Sequence, residues 1–219
     1  MINKILKIIK VIVLFSILFS LIWKKASITF TLLLVLILLL ITDYFKKKLD
    51  FSNFTSILIY VFILSSEILG EIFSFYNRIS YFDTIVHALS GFTIATISVY
   101  VLKKLNKESS KDLIIIFAFL FVMTSAALWE ITEFVIDRTL KKDMQKDTII
   151  ESITSDIFSP NREEPITKKV EHATINNIDL VKEYGGYIDI GLYDTIEDMV
   201  AALFGALSFT LIMSKKVYI

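Results

Sequence analysis

Six long apolar stretches constrain the fold more than any other feature of this sequence. A helix that spans a bilayer needs about 20 mostly apolar residues. Two of the stretches, residues 26–42 and 113–129, contain no charged residue at all. The pattern predicts an all-α, polytopic membrane protein in which residues 1–219 form a single transmembrane domain, a bundle of about six helices. The predicted spans are 5–23, 26–43, 54–73, 84–102, 113–134 and 190–213.

The composition fits a protein surrounded by the lipid bilayer. Of the residues, 55% are hydrophobic and 21% are charged, whereas a soluble domain has about 45–50% and about 25%. Because the chain has no cysteine, disulfides, zinc–thiolate sites and thiol nucleophiles are excluded. A formal net charge of zero argues against nucleic acid as a partner. No small-residue cleavage site follows the first apolar run, so we expect an uncleaved helix rather than a signal peptide.

The distribution of lysine and arginine predicts which loops face the cytoplasm. Short cytoplasmic loops carry an excess of these residues. If both termini are cytoplasmic, twelve bases flank the spans on the inner side and three on the outer side. We therefore expect an N-in, C-in protein of the bacterial plasma (inner) membrane. The twelve are Lys4, Lys7, Lys10, Lys46, Lys47, Lys48, Lys103, Lys104, Lys107, Lys111, Lys215 and Lys216, and the three are Lys24, Lys25 and Arg78.

One long polar segment, residues 138–189, interrupts the apolar pattern. We expect it to be an outward-facing, extracytoplasmic loop insertion. Within it, residues 148–158 place four isoleucines at helical spacing, which predicts a short amphipathic helix. A solvated linker is the alternative. Gly185 and Gly186 predict a turn just before the last span.

Acidic residues recur at the predicted outer ends of the last four spans. A charge at the centre of a membrane helix costs about 2.5–3.5 kcal/mol on insertion scales, so such residues mark functional candidates. At a rise of about 1.5 Å per residue, these groups fall within about three turns of the same surface. Within each span, spacings of three or four place many of them on one helical face. One histidine, His87, lies among ten acids: Glu67, Glu71, Asp83, Glu130, Glu133, Asp137, Asp189, Asp194, Glu197 and Asp198.

Carboxylates and an imidazole at one depth indicate a divalent-cation site. Oxygen ligands suit Mg, Ca and Mn, while imidazole adds Zn and Fe, so the identity of the metal stays open. Glu130 or Glu133 is the predicted general base, because buried carboxyl groups can accept a proton near neutral pH. The residues predicted to bind the metal are Asp83, His87, Glu130, Asp194 and Asp198.

Other interpretations of these residues stay open. Asp83 stands before an apolar run, so it is an alternative helix N-cap. His87 is an alternative hydrogen-bond partner of Asp83, one helical turn away. Asp137 and Asp189 fit surface positions, and the acids of the third span fit the lining of an outer vestibule.

Small residues next to the acids predict close helix packing. Gly91 and Ala95 form a small-xxx-small pair in the fourth span, and Ala201 and Gly205 form another in the sixth. Such pairs allow two backbones to approach closely. We expect the fourth and sixth helices to meet near His87.

Three sequence blocks resemble the YjdF-like family of bacterial inner-membrane proteins. The blocks are FDTIVH at 82–87, ALWEITEF at 127–134 and GYIDIGLYDT at 186–195, followed by Asp198 and Gly205. The resemblance covers roughly residues 60–213, with 141–180 as an insertion, and it implies the same intramembrane site. More distantly, the order D-x3-H, E-x2-E, D-x3-D is similar to VanZ-like membrane proteins, which are linked to glycopeptide resistance. Those proteins have Gln where Glu133 stands and Asn where Asp198 stands.

Three functions are compatible with this site. The favoured one is a divalent-metal-dependent hydrolase that acts on a lipid or envelope head group at the outer leaflet. The alternatives are a cation or proton-coupled transporter and a non-catalytic envelope or partner-binding protein whose acids form a structural network. The inner halves of the helices lack charges, which argues against an ion path. No phosphate-binding loop occurs, so a nucleotide cofactor is not expected.

Overall fold

The computed structural model describes residues 2–189 and 191–215. Ile190, the predicted start of the last span, and Lys216, counted as cytoplasmic, lie outside them. Within the described residues, six helices are long and apolar enough to cross a membrane. They confirm an all-α, polytopic membrane protein. The six membrane helices are α1 (Ile2–Ile22), α2 (Ala26–Leu49), α3 (Asn53–Ile72), α5 (Phe82–Leu105), α6 (Lys111–Leu140) and α8 (Leu192–Lys215). The described residues also form two short helices, α4 (Phe75–Arg78) and α7 (Leu180–Tyr184).

The chain forms two compact units. The first comprises Met1–Ala127 and Asp198–Ile219, and the second is Leu128–Glu197. The helices α6 and α8 each contribute residues to both units. Most of the apolar helical surface belongs to the first unit, and the sheets described below belong to the second.

The first unit begins with a tight helical hairpin. Lys24 adopts a left-handed conformation, with φ of 52°, which reverses the chain between α1 and α2. Near the turn, the Ser20 and Thr29 hydroxyls are hydrogen-bonded at 2.8 Å. Val35 and Leu39 of α2 are fully buried, whereas Phe30 is 71% exposed. The helices therefore have a packed face and an apolar face suited to lipid.

The third span contains an irregularity that the sequence pattern does not predict. Ser52 caps its start by accepting a hydrogen bond from the Thr55 backbone N–H. The helix is α-helical to Ile63 and π-helical over Leu64–Ile72. Turns of this i→i+5 type are rare in proteins as a whole, and those that occur are often found at functional sites. Gly70, in the π-helical stretch, packs directly against the ring of Tyr76.

Among its described residues, the second unit contains three short antiparallel sheets. Strand β1 (Thr148–Ile150) pairs with β6 (Tyr187–Asp189), and β2 (Ser152–Ser155) pairs with β3 (Ile166–Lys169). Strand β4 (Thr174–Ile175) pairs with β5 (Ile178–Asp179).

The helix predicted over 148–158 is therefore wrong, and so is the linker alternative. Two strands and a 3₁₀ turn, Asp156–Phe158, occupy this stretch. Its β-branched residues suit strands, and partner strands distant in sequence satisfy the backbone. The predicted glycine turn is confirmed, because Gly185 ends α7 in a left-handed conformation, with φ of 90°. Gly186 packs against the backbone of Ile150, where a side chain would overlap.

Candidate functional site

The first unit brings together three of the predicted site residues, Asp83, His87 and Asp198. The His87 Nε2 atom lies 3.4 Å from Asp83 Oδ1 and 3.2 Å from Asp198 Oδ2. One ligand atom from each residue lies within 4.8 Å of the other two. Asp198 is only 3% exposed, and the other two are half-buried. We call these residues the Asp–His–Asp cluster.

Helical spacing orients two of the three side chains. Asp83 and His87 are separated by four residues in the first turns of α5, so both lie on one face. Tyr81 occupies the N-cap position of α5, and it makes no side-chain capping bond. The interpretation of Asp83 as the N-cap is therefore wrong. Its interpretation as a partner of His87 agrees with the measured distance.

Close packing of α5 against α8 places Asp198 beside His87. A Cβ atom added to Gly91 would overlap the backbone carbonyl of Ala202, and one added to Gly205 would overlap that of Ala88. This confirms the predicted approach of the fourth and sixth spans. Gly91 and Ala202 each lie one turn further along their helix than His87 and Asp198. The glycine contact therefore fixes how closely the imidazole and the carboxylate approach.

The spacing of the cluster suits a divalent cation. Nitrogen and oxygen ligands lie about 2.0–2.2 Å from Zn²⁺ or Mg²⁺, so ligand atoms of one tetrahedral or octahedral ion are about 3.0–3.5 Å apart. The two measured distances from His87 Nε2 fall in that range. Two carboxylates would balance the charge of the ion. The same distances also suit direct pairing of an imidazolium with both carboxylates.

Tyr76 is a polar neighbour of this cluster that is not among the predicted site residues. Its hydroxyl donates a hydrogen bond to Ser66 Oγ at 3.1 Å. Burial raises the pKa of Tyr76; the Ser66 bond opposes the rise, and the charges of Asp83, Glu67 and Glu71 add to it. The hydroxyl therefore stays protonated and can act as a hydrogen-bond donor. Only its place in the short connection between the third and fourth spans could have indicated it.

Glu130 and Glu133 belong to the second unit, on one face of α6. They are 5% and 7% exposed, respectively. Carboxylates are rarely buried to this extent unless they have a specific partner. The indole Nε1 of Trp129 donates a hydrogen bond to Glu133 Oε1 at 2.9 Å. This face of α6 therefore keeps carboxylates away from water, as the predicted base requires.

Asp194, the remaining predicted ligand, also belongs to the second unit. Its Oδ2 accepts a hydrogen bond from the Lys146 backbone N–H at 2.8 Å. The neighbouring Thr195 hydroxyl accepts a bond from the Gln145 side-chain amide at 2.6 Å. These contacts hold the first turn of α8 to the segment before β1.

Two acids predicted to lie on the surface have similar structural contacts. Asp189 is buried and accepts a hydrogen bond from the Tyr193 backbone N–H at 3.1 Å. Asp137 is half-buried and accepts bonds from the backbone N–H groups of Met144 and Gln145, at 2.8 and 3.0 Å. The surface prediction is therefore wrong for Asp189 and inexact for Asp137. Asp137 satisfies backbone N–H groups that lie outside regular structure, and Asp189 satisfies one in the first turn of α8.

Comparisons with known proteins agree with the predicted class. No curated protein and no solved structure matches the chain. The family described as "Predicted membrane protein (DUF2238)" matches residues 5–217. This family includes the YjdF protein, in agreement with the resemblance of the three sequence blocks. The match covers nearly the whole sequence, so the chain belongs to the DUF2238 family of predicted membrane proteins.

Proposed function

We propose that this membrane protein binds a divalent metal ion at the Asp–His–Asp cluster and hydrolyses an ester bond in a lipid or envelope head group. The observation that carries the proposal is the set of three ligand atoms, one from each residue, within 4.8 Å of one another. Three protein ligands leave coordination positions for water and substrate, which is typical of catalytic rather than structural metal sites.

The position of the cluster along its helices supports a head-group substrate. Asp83 and His87 lie in the first two turns of α5, and Asp198 lies in the second turn of α8. At about 1.5 Å per residue, all three are within roughly 10 Å of the helix starts. Head groups occupy the ends of membrane helices. The predicted N-in orientation assigns these ends to the outer leaflet.

The proposed reaction is the attack of water on a phosphoester. The water oxygen forms a bond to phosphorus, the bond from phosphorus to the ester oxygen breaks, and the released alcohol takes up a proton. The metal would polarise the phosphoryl oxygen and make the water more acidic. His87 and the two aspartates would hold the ion. Glu130 and Glu133 stay the predicted candidates for the base that accepts the proton of water.

Metal analysis of the purified protein is the first test. Detergent-solubilised wild type should contain close to one equivalent of Mn, Zn, Fe, Ca or Mg, measured after gel filtration. His87→Ala and Asp198→Asn should reduce that content to background. Glu197→Gln is the matched control, since Glu197 is exposed beside the buried Asp198 on the same helix. Equal trace metal in all four proteins would contradict the proposal.

Catalysis needs a separate assay. Wild type reconstituted in vesicles should release head groups from phospholipid in a reaction that a chelator stops and the bound metal restores. Glu133→Gln should retain the metal and, if Glu133 is the base, should lose roughly 10²–10⁴-fold in rate. Glu130→Gln should behave in the same way if Glu130 is the base, and it should lose the metal if Glu130 is the ligand that the sequence predicts. If both variants kept the wild-type rate, neither glutamate would be the general base.

A purely structural role is the second candidate, and the hydrogen-bonding distances favour it. His87 Nε2 lies close enough to both aspartates to pair with them directly. In that case His87→Ala lowers stability while metal content stays at background in every protein. The transport hypothesis and the likeness to VanZ-like proteins stay predictions from the sequence.

A further inference from the structure

A basic cavity lies at the N-terminal end of α1 and the C-terminal end of α2, within the first unit. Its volume is about 610 Å³, within the range of small-molecule sites. Residues three or four positions apart on each helix line it. Its charged lining consists of four lysines, Lys7, Lys10, Lys46 and Lys47, and two aspartates, Asp43 and Asp50.

One of the two aspartates is already neutralised by other groups. Asp43 Oδ2 forms an ion pair with Lys10 Nζ, which comes from α1. The buried Tyr60 of α3 donates its hydroxyl hydrogen to Asp43 Oδ1 at 3.1 Å. This network fixes Asp43 and Lys10 between three helices. Once this ion pair is set aside, three lysines and Asp50 remain in the lining, so the net charge of the cavity is positive.

A second lysine of the cavity is held in place by neutral partners. Lys46 Nζ donates to Asn3 Oδ1 at 3.0 Å and to Asn53 Oδ1 at 2.9 Å. Lys7 and Lys47 are exposed, and within the part of the chain that the structure describes neither has a hydrogen bond or ion pair. An ammonium group has three donors. Both lysines can therefore donate to an anion in the cavity.

We propose that this cavity binds the phosphate of an anionic phospholipid, such as phosphatidylglycerol. Basic pockets between transmembrane helices typically bind anionic head groups. The cavity lies at helix ends, where head groups lie. Ile8 of α1 and Tyr44 of α2, next in sequence to Lys7 and Asp43 of the lining, are 50% and 59% exposed and offer an apolar surface for acyl chains. That surface favours a lipid over a soluble phosphate. The site shares no residue with the Asp–His–Asp cluster.

Native mass spectrometry of the full-length protein tests this proposal. Wild type should retain phosphatidylglycerol in preference to phosphatidylcholine with the same acyl chains. The double variant Lys7→Gln/Lys47→Gln should reduce that preference roughly 30-fold. The matched control is Lys103→Gln/Lys104→Gln, in the last turn of α5, whose lysines do not line the cavity. Lys7→Arg/Lys47→Arg should keep the preference, which separates loss of charge from loss of fold.

Three results would overturn the proposal. Wild type could bind both lipids equally. The α5 control could lose as much preference as the cavity variant, which would indicate a general surface charge. Glycerol 3-phosphate alone could raise the unfolding temperature as much as phosphatidylglycerol does, which would identify the ligand as a soluble phosphate.

Discussion

Asp194 and Asp198 are one turn apart on α8, yet their carboxylates have different kinds of partner. Asp198, in the first unit, faces the imidazole of His87 on a neighbouring membrane helix. Asp194, in the second unit, accepts a backbone N–H from an irregular segment. Asp137 also accepts backbone N–H groups from this segment, and Asp189 accepts one from Tyr193 in the first turn of α8. These three carboxylates of the second unit thus organise the backbone, whereas Asp83 and Asp198 of the first unit form a group with His87 that can bind a cation.

The largest effect should come from separating the helices that hold the Asp–His–Asp cluster. Gly91→Leu would force a side chain into the backbone of Ala202. Overpacking of this kind costs about 3 kcal/mol. Unfolding in mixed micelles on titration with SDS measures the loss, and metal content should fall with it. Ile85→Leu, at an exposed position of α5, is the control and should leave both unchanged.

Asp137→Ala should have the next largest effect, and it should leave the metal content unchanged. The substitution removes the acceptor of two backbone N–H groups, and hydrogen bonds to charged groups contribute about 1.5–3 kcal/mol. Hydrogen exchange at Met144 and Gln145 should accelerate. Loss of bound metal in this variant would show that the distinction between the two kinds of carboxylate is false.

Asp194→Ala should have a smaller effect of the same kind, because only one backbone N–H loses its acceptor. We expect a loss of about 1–2 kcal/mol, with faster exchange at Lys146. Asp194 is one of the metal ligands predicted from the sequence. Metal content equal to that of wild type would assign Asp194 to the structural group, and metal content at background would restore it as a ligand.

The smallest effect should be a pH dependence from Asp147. Burial, followed by the charges of Asp143, Asp189 and Asp137, raises the pKa of Asp147 above its ordinary value of 3.8. The folded state therefore binds this proton more tightly than the unfolded state, so stability falls as the pH rises from about 4 through the folded pKa. Asp147→Asn should flatten the dependence of unfolding on pH in that window. Glu163→Gln, at an exposed position, should leave it unchanged.

Hydrophobic length predicted the membrane helices well, because spanning a bilayer imposes a simple local requirement. The observed α2 and α6 continue past the predicted ends to Leu49 and Leu140. Charged residues in the last turns of both helices end the apolar run on which the prediction rests, but the helices continue through them. The strands of the second unit were not predictable in this way. Thr148 pairs with Asp189, so residues far apart in sequence decide the structure of 148–150.

The candidate site was only partly predictable for a related reason. Helical spacing placed Asp83 with His87 on one face, and glycine spacing predicted that α5 and α8 would meet. Spacing alone could not separate Asp194 from Asp198, since residues four apart share a face. Tertiary contacts separated them. The ion pair of Lys10 with Asp43 was also missed, although both charges interrupt apolar runs.

The π-helical end of α3 carries a consequence for sequence length. Each turn of a π-helix contains more residues than a turn of an α-helix. If one residue between Leu64 and Ile72 were deleted, the stretch could return to an ordinary α-helix, and the angular spacing of its remaining side chains around the helix axis would change. Ser66 and Gly70 both lie in this stretch and both contact Tyr76, so a change in their relative positions would disturb at least one of the two contacts. Relatives with one residue fewer in this stretch should therefore lack the pairing of tyrosine with serine and glycine.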